Sequence, residues 1–188
     1  LRTYKKIDDN NMQSIPASYH IQHANLSHAE MLTTLVNAAY RPQHALTTAW
    51  THESDWVTGQ RIDLTQMCTA LNQKNVVILI LIENEHILAC VQIEHLQDCA
   101  YIGMLSVLPE LQNAGLGKIM LDAAEHFAQT QWNIQQFKMS VMTVRESLMA
   151  YYLRRGYVQT GEFFDYPQDA NVGHPKTDLQ FEYLMKTV

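Results

Sequence analysis

The run Gln112-Asn113-Ala114-Gly115-Leu116-Gly117-Lys118 carries the clearest chemical signal in the chain. Glycines at 115 and 117 let the backbone approach a ligand closely with its amide hydrogens exposed, and an apolar periodicity continuing through Ala128 sets a helix behind them. That helix turns the positive end of its dipole toward the same spot, so the run suits an anion such as a pyrophosphate. Two other phosphate loops fail on residue type. A Walker A loop needs Ser or Thr after its Gly-Lys, where Ile119 stands, and a GxGxxG turn needs a third glycine where Met120 stands. The order QxxGxG remains. Among nine histidines, His20, His23 and His28 are close in sequence, but strand alternation separates His20 from His23 and thiolate or carboxylate company is missing, so no metal site is expected. Cys68, Cys90 and Cys99 lie at wide spacing in apolar surroundings and read as buried thiols rather than a disulfide framework or zinc site.

The elements that must position this loop alternate along the chain. Tyr19 to Ala24 reads as a short strand, and Asn25 or Ser27 caps a helix reaching Tyr40, with Glu30 three residues after Ser27 completing a capping box; Pro42 ends it. Thr51 to Gly59 reads as loop, and Ile62, Leu64, Met67 and Leu71 predict a helix over 62–73. Val76–Ile82, Ile87–His95 and Cys99–Leu108 form three β-rich runs joined by Glu83-Asn84-Glu85-His86 and Gln97-Asp98, an antiparallel meander. A helix over 115–130, a strand over 137–144, a helix over 147–155 and strands over 157–160 and 178–185 follow, the last two separated by a Pro/Gly/Asp-rich loop. The fold class is α+β: a mixed, mostly antiparallel central sheet of six or seven strands with helices on both faces.

Composition agrees with one domain over residues 19–188 preceded by an extension over 1–18: 188 residues with 47% hydrophobic and 17% charged content can bury a sizeable core. The longest apolar run, Val76–Ile82, has seven residues, far below the roughly 20 needed to span a bilayer, and no signal segment opens the chain, so a cytoplasmic location without membrane contact is expected. A net charge of −6 argues against nucleic acid and fits a cationic amine better.

The QxxGxG run resembles the acetyl-CoA-binding motif of the GNAT N-acetyltransferase superfamily, whose R/QxxGxG/A loop joins its fourth strand to its third helix. Tyr101–Pro109 resembles that fourth strand, and the stretch from Arg145 to Tyr157 resembles a later block. Trp50-Thr51-His52-Glu53 and Tyr152-Leu153-Arg154-Arg155-Gly156-Tyr157 are similar to WTxE and YxRRGY segments of one branch of the family. The resemblance implies an acyl-CoA N-acyltransferase fold and acetyl transfer from acetyl-CoA (coenzyme A) directly to a primary amine of a small molecule or peptide, by a monomer or homodimer. It implies that Gln112, Asn113, Ala114, Gly115, Leu116, Gly117 and Lys118 meet the cofactor phosphates, and that Leu105, Ser106 and Val107 pair with its pantetheine arm. It implies that Tyr152, four residues before Gly156, donates a proton to the leaving thiolate. Several members carry a glutamate where Tyr101 stands; if Gln97-Asp98 is a two-residue turn, Glu94 faces Tyr101 across the hairpin and becomes the candidate base, with Glu53 the second. Arg145 stands where the family often has Asn. Tyr40, Trp50, Glu53, Tyr101, Phe164 and Tyr166 are candidate walls of an acceptor pocket that would hold an amine by cation–π and ionic contact. A coenzyme A-binding sensor or scaffold of the same fold is the alternative, and an unrelated ATP- or NAD-binding α/β protein a third.

Overall fold

The computed structural model describes residues 18–42, 50–167 and 171–188, so most of the expected N-terminal extension lies outside the described residues. Strand β1, Tyr19–His23, leads into a single 3-10 turn, Leu26–His28, and helix α1, Ala29–Tyr40. Asn25 rather than Ser27 has the extended backbone of a cap, and its side chain accepts from the Ser27 N–H at 2.9 Å. The capping box therefore closes on His28, whose Nδ1 accepts from the Asn25 N–H at 3.0 Å, and not on Glu30. A two-residue strand β2, Val57–Thr58, interrupts the stretch expected as loop; it pairs only with β8, His174–Pro175. Helix α2, Leu64–Asn72, starts at Asp63, which exchanges hydrogen bonds with Gln66 at 2.7 and 2.9 Å.

Strands β3 (Val76–Glu83), β4 (His86–His95) and β5 (Ala100–Val107) form the expected meander. Asn84 and Glu85 both adopt positive φ, 47° and 69°, which gives the tight first hairpin a twist that matches its strands. The second hairpin brings Glu94 opposite Tyr101, as a two-residue turn at Gln97-Asp98 requires. Helix α3, Leu116–Trp132, strand β6, Gln136–Met142, and helix α4, Glu146–Leu153, follow. Strand β7, Val158–Asp165, runs five residues past the expected end at Thr160: Gly161, with φ 74°, sits in a register shift and the strand resumes beyond it. Strand β9, Gln180–Thr187, completes a seven-stranded sheet in the order β1-β3-β4-β5-β6-β9-β7.

All neighbours in this sheet are antiparallel except β5 and β6, which run parallel and pair only at Ala100–Phe137 and Tyr101–Lys138. Beyond those two pairs the strands part. The cause lies in β5: Cys90 opposes Ser106 while Gln92 opposes Gly103, so one extra residue is accommodated beside Met104, whose φ is 50°. Such a bulge bends a strand and steepens its twist. One face of the sheet packs on α3 and α4 through Leu79, Val91, Ile93, Met120, Leu121 and Phe137; the other packs on α1 and α2 through Leu32, Val36, Met67, Ile78, Ile80 and Cys90. A small third cluster, Val57, Met142, Tyr166 and Leu179, covers the far half of that second face. β3 thus buries side chains on both faces, which explains its unbroken apolar run. Among the described residues, no helix is long and apolar enough to cross a membrane.

Candidate active site

The chain leaves β5 through a 3-10 turn, Pro109–Leu111, and reaches α3 through two left-handed residues, Asn113 at φ 74° and Gly115 at φ 84°. Ala114 donates to the Leu111 carbonyl at 3.3 Å, and the Lys118 and Ile119 amides both bend back to Gly115 O, at 3.0 and 3.2 Å. The amides of Gly115, Leu116 and Gly117 stand before the first intrahelical bond, where a helix leaves its N–H groups for a capping or bound group. Gly115 needs its residue type for conformation, and Gly117 for space: a Cβ there would sit 3.2 Å from the Tyr151 hydroxyl. The Gln112 side chain is spent locally, accepting from the Trp50 N–H at 3.1 Å and donating to Val107 O at 3.4 Å. It ties the loop at Trp50 to the end of β5.

A cavity of about 570 Å³ opens from this loop, lined by Leu105, Val107, Gly115, Gly117, Tyr151 and Tyr152, with Lys118, Arg154 and Arg155 at its edge. Arg155 stacks its guanidinium 3.3 Å from the Tyr151 ring centroid and leaves a buried Nε without a hydrogen-bond partner among the described residues. The Leu108 N–H bonds Leu88 O on β4, so by the alternation of an antiparallel ladder the backbone groups of Val107 turn away from β4 and toward the parting of β5 from β6. A second cavity, of about 320 Å³, occupies that parting and is lined by Tyr40, Glu53, Arg61, Tyr101, Ser140 and Tyr166 among others. Tyr40, Leu105, Arg145, Leu148 and Tyr152 line both cavities, so the two meet at the Tyr152 side chain. Burial pushes the Tyr152 phenol well above its ordinary range, with the phenols of Tyr40 and Tyr151 adding to the shift. Tyr101 is held across the mouth of the parting by a 2.6 Å hydrogen bond between its hydroxyl and that of Ser140.

Between the cavities lies a buried ionic group. Glu53 meets Arg145 Nη1 through Oε1 at 2.9 Å and Arg41 Nη2 through Oε2 at 3.2 Å. Arg41 also donates to the Gly59 and Gln60 carbonyls and to the Tyr166 hydroxyl; Arg145 donates to Thr51 O at 2.6 Å. One carboxylate therefore knots the end of α1, the loop at residues 51–60 and the start of α4 together.

Residues 23–157 match the model of the acetyltransferase (GNAT) family. The chain belongs to the GNAT acetyltransferase family. Solved structures agree in fold at low identity. An N-acetyltransferase from Staphylococcus aureus Mu50 superposes with a TM-score of 0.68 at 16% identity, covering 91% of this chain and 98% of its own. The ribosomal-protein-S18-alanine N-acetyltransferase from Escherichia coli gives 0.66 at 12% identity, covering 90% and 94%. The PaiA N-acetyltransferase from Thermoplasma acidophilum, solved in complex with coenzyme A, gives 0.66 at 12% identity, covering 91% and 99%. No protein of curated function matches the sequence.

Within this GNAT domain the expected site residues divide. Gln112, Asn113, Gly115, Gly117, Lys118, Leu105 and Val107 line the first cavity; Ala114 does not, and Leu116 and Ser106 turn their side chains into the protein, Ser106 donating to Met104 O at 3.2 Å. Tyr40, Glu53, Tyr101 and Tyr166 line the second cavity. Trp50, expected as an acceptor wall, instead lines the first cavity, 5.7 Å from Tyr151 between ring centroids, because Gln112 fixes its backbone there. Phe164 lines neither; it stacks on Phe181 and Tyr183 along β7 and β9. Glu94 keeps the expected register with Tyr101 but does not reach the second cavity, since its carboxylate lies back over β3 and accepts from Asn75 Nδ2 at 3.1 Å. Tyr151, which sequence reasoning did not place in the site, also lines the first cavity: its hydroxyl reaches Gly117 while its ring packs edge-on against Tyr152 at 5.2 Å. Arg41 and Arg61 were not foreseen as parts of the site. Their only sequence signal is charge beside Pro42 and beside an apolar residue, and that signal is shared by any surface arginine.

Proposed function

We propose that this GNAT chain moves an acetyl group from acetyl-CoA directly to a primary amine. The observation that carries the reading is the meeting of the two cavities at Tyr152, one of them ending on the open amides at the start of α3. The residues present fit coenzyme A: the Gly115–Gly117 amides, the space kept open by Gly117, and the unpartnered Arg155 Nε beside Arg154 are an anion cradle with two cations at its rim. When bound, acetyl-CoA supplies a thioester whose acyl carbon takes the amine nitrogen as its C–S bond breaks.

The chain's own groups then have separate tasks. The Val107 N–H, turned from β4, and the neighbouring backbone of Leu105 would hold the pantetheine arm, and the Leu105 N–H would stabilise the charge developing on the carbonyl oxygen. Tyr152, kept protonated by burial, gives its phenolic proton to the departing sulfur and regains one from solvent through the cleft. Glu53 does not act as base, because two guanidiniums occupy its two oxygens; it positions Arg145 and the loop. The amine therefore loses its proton to water, at a cost of about 4 kcal/mol for an alkyl amine at neutral pH. Alignment of amine and thioester in adjoining cavities offsets this with an advantage on the order of 7 to 11 kcal/mol.

The test is direct titration with coenzyme A beside a thiol-release assay across amines. Both signals are expected; thiol release that does not depend on amine, or a folded protein that takes up no coenzyme A, refutes the proposal. A binding-only role predicts the titration without the release.

A further inference from the structure

We infer that the second cavity selects an amine that also carries a carboxylate, which Arg61 binds; this rests on the acyl transfer proposed above. Among the described residues, the charged side chains lining that cavity are Glu53, Arg61 and Arg145, with Arg41 directly behind Glu53. Three guanidiniums against one carboxylate leave two positive charges in excess, in a chain whose net charge is −6. Glu53 accounts for Arg41 and Arg145 with both of its oxygens. Arg61 has no side-chain hydrogen bond or ion pair among the described residues, and its Cζ lies 5.3 Å from the centre of the Tyr40 ring.

This position is built. Asn37, on α1, accepts from the Arg61 and Ile62 amides at 2.7 and 3.3 Å and donates to Ile62 O at 2.8 Å, which pins the segment to the helix. The Arg61 charge also acts on the phenols of Tyr40 and Tyr101, opposing the upward push of burial on each, so it stands near both walls of the cavity. A bare ammonium entering there meets like charge at short range, whereas an amino-carboxylate brings its own counter-charge. A guanidinium beside an aromatic ring, with no side-chain partner among the described residues, is well matched to a carboxylate. At about 320 Å³ the cavity is at the small end of ligand sites, which favours a compact amino acid over a polypeptide. On this reading the acceptor carries both charges, in place of the expected cationic amine held by a carboxylate, since both oxygens of the cavity's carboxylate are paired with guanidiniums.

The test compares glycine, leucine, β-alanine and 4-aminobutyrate with their amides, and β-alanine with 2-aminoethylphosphonate, with rates expressed per unprotonated amine. At least one carboxylate is expected to exceed its amide in kcat/KM by about tenfold or more, carried by KM, as one charge-assisted hydrogen-bond pair supplies. Arg61→Gln collapses that ratio toward one, and Arg61→Lys keeps part of it. Amides preferred throughout, or a ratio that Arg61→Gln leaves unchanged, overturns the assignment; a preference for the phosphonate overturns it in favour of a phosphorylated amine. If coenzyme A binds but no amine releases thiol, the acyl-transfer reading fails by itself. Calorimetric titration of the same amino acids onto the coenzyme A-loaded protein then decides: binding weakened by Arg61→Gln sustains the anion site, and no binding, or binding unaffected by the variant, overturns it.

Discussion

Replacing Glu53 with alanine strips the counter-charge from two guanidiniums whose side chains are 6% and 9% exposed, from a carboxylate that is itself 5% exposed. Arg41 keeps the Gly59 and Gln60 carbonyls and Arg145 keeps Thr51 O, so the loss is confined to the two ionic contacts at 3.2 and 2.9 Å and to the repulsion they screened. Breaking a buried ion pair by removing one partner costs about 3–5 kcal/mol, because an uncompensated charge stays behind. Here two charges stay behind. Against a total stability of about 5–15 kcal/mol, a loss of ~4 kcal/mol is a large share, and it corresponds to a fall of about 8–16 °C in Tm for a domain of this size. Urea unfolding followed by tryptophan fluorescence, with Trp50 and Trp56 close to the network in sequence, reads the loss directly. The double variant Glu53→Ala with Arg145→Met removes one stranded charge and is expected to recover part of the stability, a coupling that independent sites would lack. A loss below about 1 kcal/mol in the single variant, or a double variant no more stable than it, refutes the view that Glu53 holds two buried cations in place.

Other perturbations have equally definite outcomes. Gly117→Val adds branched bulk where a Cβ alone would stand 3.2 Å from the Tyr151 hydroxyl, so coenzyme A affinity measured by titration drops at least about tenfold, while the melting temperature moves by only a few degrees. Tyr152→Phe lowers kcat on the order of a hundredfold without a matching change in KM for acetyl-CoA; full retention of turnover removes Tyr152 from the proton path. Because the phenol must be protonated to act and burial raises its pKa, wild-type activity shows no alkaline decline attributable to Tyr152 below about pH 10. Tyr40, Tyr101, Tyr152 and Tyr157 all hold their protons more tightly in the fold than in the open chain. Above about pH 10 the unfolded state loses phenolic protons that the native state keeps, so stability is unaffected by these groups below that pH and falls beyond it, by up to about 1.4 kcal/mol per pH unit for each of the strongly shifted Tyr152 and Tyr157. Urea midpoints at pH 9, 10 and 11 check the sign, and a midpoint that rises across this range contradicts it.

The QxxGxG run, the meander and the hairpin register were legible in the sequence because each is fixed by local rules: glycine conformation, alternation, and turn length. Glu94 shows where such rules stop. Its partner across the hairpin is Tyr101 as the turn length demands, yet sharing a register position did not bring its carboxylate to the site, because Asn75 captures it from the neighbouring strand end. The Met104 bulge, which opens β5 from β6, has no glycine or proline to announce it at that residue, and a non-glycine at positive φ is maintained by the packing around it. Tyr151 and Tyr152 are adjacent on a helix and differ in direction by about 100°, yet both line the first cavity. The cationic cavity was hidden for another reason. Arg41, Arg61 and Arg145 come from three separate segments, and Glu53 from a fourth; only tertiary packing reveals how many charges remain after pairing.

The brevity of the β5–β6 ladder bears on the molecule's mechanics. With two residue pairs joining β1-β3-β4-β5 to β6-β9-β7, the sheet is two leaves bound along a spine by the α3 core and separable on the opposite side. A molecule seated in that seam and hydrogen-bonded to both exposed edges would bridge the two leaves. Occupancy of the seam would then raise the stability of the whole sheet, because such a ligand binds only where the two leaves are already folded side by side.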